Sequence, residues 1–391
     1  MVIPERFSNL PVYAFPRLRD LLDGVAPGGE ALRMTIGEPR HAFPAFVSEI
    51  IARHAHEFGQ YPVNDGAPEL LESIAAWVQS RFSAAINDDQ IMVLNGTREG
   101  LFAAAMALCP ETKNGAQPLV LMPNPFYQVY SVAALAVGAR PVYLPATKES
   151  GYLPDFDAVA PEDLDQTAIV YLCTPSNPQG AVASKEYLSN LMALAEKHDF
   201  RIFCDECYSE VWRDVPPPGA LQVANEIGAD PERVFIFHSL SKRSNLPGLR
   251  VGFVAGGPKG IAEIRQLRAY AGAPISMPLQ RAATAVWQDE EHVEASRQRY
   301  VGKYDIANQV FDGVEGYTAP SAGFFLWLPV EDGEEAAKKI WRESGVQVLP
   351  GAYLSRDVDG KNPGKGYIRV AMVVEEQEMQ RGLKTIRDCL Y

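Results

Sequence analysis

The sequence predicts an α/β protein in which a large domain built on a mostly parallel sheet is followed by a smaller α+β domain. Two observations carry this. Short, almost wholly apolar runs alternate with longer helical ones through the middle of the chain, the pattern of a sheet covered on both faces. After Trp287 the texture changes to a charged helical stretch, 289–304, and then to short strands with helices between and after them. The 391 residues suffice for two or three domains, and 47% apolar with 22% charged side chains is a globular composition.

The strands of the large domain are predicted at 91–94, 119–122, 168–172, 201–204, 234–237 and 251–255. Helices fall at 69–82, 99–107, 127–137, 185–197 and 259–270. In the smaller domain the strands are 323–328, 346–349 and 367–370. The first forty or so residues, rich in Pro and Arg, cannot form a domain alone and must pack on one of the other two. The expected division is an arm with part of the small domain at 1–45, a large domain at 46–285 and a small C-terminal domain at 286–391. Glycine and proline are dispersed as turn punctuation, with no internal repeat.

Charge and composition exclude several classes of function. With 36 basic and 49 acidic side chains the net charge is −13, and no basic stripe interrupts it, so nucleic acid is not expected as a partner. The longest uncharged stretch, 114–139, is broken by prolines and amides and cannot span a bilayer. Pro4, Glu5 and Arg6 stand where the apolar part of a secretory leader would begin, so a cytoplasmic protein is expected. Five cysteines are too few for a stapled scaffold and are expected as reduced thiols. Cys204 and Cys207 form a C-x-x-C, but a metal site needs further ligands, and Cys204 ends an apolar strand.

In open α/β sheets ligands bind beyond the carboxyl ends of the strands, and the chemically capable residues collect there. Lys242, in Ser239-Leu240-Ser241-Lys242, closely follows the strand 234–237; an amine partly withdrawn from water has a lowered pKa and becomes a nucleophile. Asn95-Gly96-Thr97 joins a strand to a helix, and free N–H groups there offer an anion site. Arg250, eight residues beyond Lys242, can add a bidentate contact to the same anion, which points to a phosphate. Asp205 and Tyr208 follow the strand 201–204; a carboxylate there needs a cation, and either Asp205 or Glu206 could be the buried acid. Asn177 lies in a Pro-rich turn after 168–172. Taken singly, each of these has an ordinary structural explanation.

Taken together, Asn-Gly-Thr, Asn-Pro-x-Gly, Asp-x-x-Tyr, Ser-x-Ser-Lys and an Arg eight residues later resemble the fold-type I, pyridoxal-phosphate-dependent aminotransferases of class I. The resemblance spans nearly the whole chain, from Ile36-Gly37-Glu38-Pro39 and Tyr61 to Tyr367-Ile368-Arg369. It implies a mostly parallel seven-stranded sheet and pyridoxal 5′-phosphate as cofactor. Lys242 is implied as the residue that bonds the cofactor aldehyde and moves the proton at the substrate α-carbon. Asp205 is implied as the partner of the pyridinium nitrogen, and Tyr208 and Asn177 as donors to the ring's phenolic oxygen. Tyr127 falls where the family stacks an aromatic ring on the cofactor, with Phe126 as the neighbouring alternative. Gly96, Thr97, Ser239, Ser241 and Arg250 are implied to hold the phosphate. Tyr61 is implied to reach in from a second subunit of a homodimer. Arg369 is implied to clamp the substrate α-carboxylate, with Gly37 closing from the N-terminal segment. Cis peptides are implied before Pro125 and Pro178.

Residues 238–252, with 124–130 and 348–354, also resemble bacterial N-succinyldiaminopimelate aminotransferases. This implies transfer between N-succinyl-LL-2,6-diaminopimelate and the 2-oxoglutarate/glutamate pair. Other amino donors (aspartate, alanine, LL-diaminopimelate) and a β-lyase keep the same cofactor motifs. A regulator on this fold is expected to carry an added DNA-binding domain, and none is read in 1–391. A succinylated substrate needs a cation for its distal acid group, for which Arg17, Arg19, Arg40 and Arg243 are candidates. Arg98 departs from the wider family, which often has a small residue there, and is expected to contact the phosphate or face solvent.

Overall fold

The structure, a computed structural model, describes residues 5–8 and 10–391. Pro4, one of the residues that argue against a leader, lies outside them. The first strand, β1 (Leu32–Arg33), lies outside the central sheet. Seven strands then build the central sheet: β2 (Ile91–Leu94), β3 (Leu119–Asn124), β4 (Arg140–Pro145), β5 (Thr167–Cys173), β6 (Arg201–Asp205), β7 (Val234–Ser239) and β8 (Gly252–Ala255). Their spatial order is β2, β8, β7, β6, β5, β3, β4. β3 to β7 run parallel to their neighbours in that set, and β8 alone is antiparallel, to both β7 and β2. The mostly parallel seven-stranded sheet is therefore present.

Side-chain alternation divides each strand between two apolar layers. Val170, Ile202, Cys204, Val234 and Ile236 face a layer that includes Ile74, Trp77 and Val286. Ile169, Tyr171, Phe203, Phe235 and Phe237 face the opposite layer, with Leu101, Ala104, Tyr130 and Ala133. The helices Pro68–Phe82 and Met277–Gln288 lie on the first side, and Thr97–Leu108 and Gln128–Ala136 on the second. The predicted strands agree with the observed ones to within one or two residues. β4 has no counterpart among them: Pro141 and Pro145 break its apolar pattern, and it is an edge strand, where proline is tolerated.

The second sheet is antiparallel, in the order β11 (Leu349–Pro350), β12 (Tyr367–Ala371), β9 (Phe325–Pro329). β10 (Val346–Gln347) pairs in parallel with β1, which ties the N-terminal segment to this unit. The predicted strand 346–349 thus splits into two short strands in different sheets. Its core, including Tyr300, Phe324, Leu326, Ile340 and Ile386, is covered by the helices Glu291–Val310, Gly333–Ser344 and Glu376–Leu390. The first helix, Ala14–Leu22, packs Ala14, Leu18 and Leu22 against Trp327, Leu349 and Tyr353. The peptide bonds before Pro125, Pro175 and Pro178 are cis. Among the described residues no helix is long and apolar enough to cross a membrane.

The two acids that follow one another at the end of β6 go to opposite faces, as strand alternation requires. Asp205 shares the Phe203 face, whereas Glu206 turns to the other layer. There its Oε2 lies 2.9 Å from His238 Nε2, and its Oε1 accepts from the Ala220 N–H at 2.7 Å. Both acids are buried, at 5% and 1% exposure, so the choice between them posed by the sequence does not arise. The Glu206–His238 contact fastens the end of β6 to the end of β7. Removing one partner of such a buried pair costs about 3–5 kcal/mol. Glu206→Ala is therefore expected to lower the unfolding free energy by about that amount in urea, and Glu206→Gln, which keeps an acceptor, by less. Equal stability of Glu206→Ala and the parent chain would refute the assignment.

Candidate active site

The carboxyl ends of β2, β5, β6 and β7 converge on a cavity of about 290 Å³, at the small end of ligand sites. Because β8 runs the other way, its beginning lies at the same edge, and Arg250, two residues before it, arrives there too. The cavity is lined by Thr97, Tyr127, Asn177, Asp205, Tyr208, Ser239, Ser241, Lys242 and Arg250 from the large sheet's loops. Gly37 and Arg369 come from the other unit, and Arg98, Cys207, Phe126 and Glu38 also reach it. Most of the candidates named from sequence are thereby brought together. Tyr61 is not: it is fully exposed and outside the lining.

At one end Gly96, with φ +79°, begins the helix Thr97–Leu108, and a β-carbon there would overlap the Arg250 guanidinium. Only glycine lets that cation approach the helix N-terminus this closely. Ser239 caps the next short helix, accepting from the Ser241 N–H at 3.1 Å, and its hydroxyl donates to Ser241 Oγ at 2.8 Å. Hydroxyls, backbone N–H groups and one guanidinium therefore face a common point, the donor set of a phosphate site.

In the centre, Asp205 Oδ2 accepts from the Tyr130 hydroxyl at 2.7 Å, and Oδ1 accepts from the Cys207 N–H at 3.4 Å. Burial nevertheless raises the pKa of this carboxyl, the donors offsetting only part of the effect. Lys242 is half-buried, and its Nζ donates to the Gly37 carbonyl. Loss of water pushes its pKa down to about 8. Tyr127 stands at the start of the helix Gln128–Ala136, and Phe126 beside it is buried. Burial raises the Tyr208 phenol well above its ordinary value.

At the far side Arg369, on β12, donates from Nη1 to Asn177 Oδ1 at 3.0 Å and from Nη2 to the Thr35 carbonyl at 2.7 Å. Its guanidinium stacks 4.2 Å from the centre of the Phe325 ring. Its buried Nε has no partner among the described residues, so the site retains a donor for an acid group.

The model of the family "Aminotransferase class I and II" matches residues 30–386. The chain belongs to this family. Pyridoxal phosphate is the family's cofactor, and the protein is a pyridoxal-phosphate-dependent aminotransferase. It is similar to the crystal structure of an aminotransferase from Neisseria meningitidis Z2491, with a TM-score of 0.95 and 34% identity, each chain covered in full at 100%. The aminotransferase AspB from Helicobacter pylori 26695 gives a TM-score of 0.91 and 32% identity, covering 97% of this chain and 98% of that one. An LL-diaminopimelate aminotransferase from Dehalococcoides mccartyi is 29% identical over 396 residues, 98% of this chain and 97% of that protein.

The residues present fit the cofactor. The Gly96–Arg250 cradle suits its phosphate, and among the described residues no lysine, arginine or histidine forms an ion pair with buried Asp205, which suits a protonated ring nitrogen. Sequence reading missed Tyr130, which supports Asp205, although its place one helical turn after Tyr127 in Pro-Phe-Tyr-Gln-Val-Tyr puts both on one face. It also missed Cys207, whose Sγ lies 3.2 Å from Thr97 Oγ1; no sequence signal marks it as facing the cavity. Of the four arginines offered for a distal acid group, none lines the cavity. Arg243 is corrected outright. It is buried beside Trp287, donates to the Val286 carbonyl at 2.9 Å and pairs with Glu290.

Desolvation favours the uncharged amine of Lys242, so its neutral fraction rises through about pH 8 rather than through the ordinary 10.5. In cofactor-free protein, reductive methylation of Lys242 with formaldehyde, followed by mass spectrometry, is expected to reach half its maximal rate near pH 8. A midpoint at the ordinary lysine value would show that water reaches the amine freely.

Proposed function

We propose that the enzyme transfers the amino group of N-succinyl-LL-2,6-diaminopimelate to 2-oxoglutarate. The observation that carries this is a cavity facing several cations, Lys242, Arg250, Arg369 and Arg98, inside a chain of net charge −13. Such a local field favours a substrate that brings more than one acid group. The likeness of 238–252 to the succinyldiaminopimelate branch supports the donor. A second reading, LL-diaminopimelate itself, is favoured by the name of the Dehalococcoides mccartyi relative.

When bound, pyridoxal phosphate supplies an aldehyde carbon that takes the amino group and a protonated ring that accepts the electron pair left at the α-carbon. In this reading Gly96, Thr97, Ser239, Ser241 and Arg250 hold the phosphate. Asp205 keeps the ring nitrogen protonated, and Tyr130 keeps Asp205 oriented. Tyr127 covers the ring face, with Arg98 Nε holding its hydroxyl at 2.6 Å. Tyr208 and Asn177 donate to the phenolic oxygen. Arg369 receives the α-carboxylate, positioned by the Asn177 and Thr35 contacts. Lys242 Nζ, whose pKa burial lowers to about 8, would act as the group that takes and returns the proton of the substrate α-carbon. Gly37 lies against Phe325 so closely that a β-carbon would overlap the ring, which keeps the segment over the site thin.

The same reading divides the chain into an arm at 1–45, a cofactor-binding unit at 46–285 and a small unit at 286–391, with the site between them. Tyr61, fully exposed in the single chain, is available to a second copy, in keeping with a homodimer that shares its sites.

With 2-oxoglutarate as acceptor, the succinylated donor is expected to give the highest kcat/KM in a panel that includes LL-diaminopimelate, aspartate and alanine. A higher value for any other donor overturns the substrate assignment. Lys242→Ala is expected to abolish transamination by several orders of magnitude while the fold persists by circular dichroism. Turnover at the parent rate would remove Lys242 from the chemistry.

A further inference from the structure

An amino donor held by Arg369 through its α-carboxylate still has to place its distal acid group, and the four arginines offered by the sequence do not line the cavity. Arg17 stacks 3.8 Å over Tyr353 and lies 3.6 Å from Glu334. Arg19 and Arg40 are exposed, the former within 4.0 Å of Asp20, and Arg243 is buried.

The cations that do line the cavity are Arg98, Lys242, Arg250 and Arg369. The proposed function uses the last three for the reaction, the phosphate and the α-carboxylate. Arg98 remains. It stands in the first turn of the helix Thr97–Leu108, one residue past Thr97, and is exposed to the cavity. Tyr127 fixes it from one side through Nε at 2.6 Å, and Tyr13 lines the same cavity. Burial raises the pKa of that Tyr127 phenol, which therefore brings no charge, and among the described residues no carboxylate forms an ion pair with Arg98. A guanidinium has more N–H donors than one hydroxyl can occupy, in a planar fork that matches a carboxylate. Tyr127 therefore holds its position without neutralising its charge.

We infer that Arg98 is the specificity residue that receives the distal carboxylate of the amino donor. This rests on the transaminase site proposed above, since it needs the α-carboxylate at Arg369. It makes the enzyme selective for amino acids that end in an acid group, whether a succinyl chain or the side chain of glutamate, and it reassigns Arg98 from the phosphate.

The test uses the holoenzyme without acceptor, following the cofactor's absorbance in single turnovers with N-succinyl-LL-2,6-diaminopimelate, glutamate and norvaline. Loss of a hydrogen-bonded charge pair reduces selectivity roughly tenfold to a hundredfold. Arg98→Gln is expected to lower the ratio of acidic to neutral donor efficiency by that factor, and Arg98→Lys to restore part of it. Glutarate is expected to lose affinity by a similar factor relative to butyrate, a binding readout independent of turnover. Unchanged ratios, with all donors slowed together or cofactor affinity lowered, assign Arg98 to the cofactor and overturn the inference. Should the succinylated donor not react in the parent enzyme, the substrate assignment fails, while glutamate against norvaline, and glutarate against butyrate, still decide Arg98.

Discussion

A carboxylate withdrawn from water at the carboxyl end of β6 is the constraint to which the rest of the site responds. Asp205 is stabilised by a phenol and a backbone N–H, yet burial still raises its pKa, so neutral donors alone do not balance the loss of solvent. A cation would complete the balance, and in the function proposed above a protonated ring nitrogen supplies it. The helix that supplies Tyr130 to the acid is preceded directly by Tyr127, so in that reading the support of the charge and the cover of the ring belong to one element.

Sheet topology then determines which side chains share that space. Parallel strands deliver their following loops to one edge, and Thr97, Asn177, Asp205 and Ser239 arrive there from four strands distant in sequence. The single antiparallel strand β8 brings Arg250 to the same edge from its opposite end. β12 of the smaller sheet brings Arg369, whose guanidinium is flattened on Phe325 and aimed by Asn177 and the Thr35 carbonyl. The positive field of the cavity is thus local, inside a chain whose overall charge is −13.

Much of this was legible in the chain. Buried strands such as Thr167–Cys173 and Val234–Ser239 are nearly unbroken apolar runs because both faces are covered. The residues after them line the cavity because the carboxyl ends of parallel strands open on one edge of the sheet. β4 was not legible, since its prolines are compatible with a strand only at an edge, and edges are a property of the assembled sheet. Nor was the destination of Asp205 and Glu206: alternation says they part, but not which layer holds the ligand.

The sequence by itself determined the fold class and the family, and it singled out Lys242, Asp205, Arg250 and Arg369, which line one cavity, because their places depend on spacing along single strand-and-loop units. Tertiary structure decided which cations meet in the cavity. Arg243 is adjacent to Lys242 yet faces the helix Met277–Gln288, whereas Arg98, far away in the chain, lines the site. The reason is physical: neighbouring residues leave a helix in divergent directions, so proximity along the chain does not carry charge to a common point, and packing does.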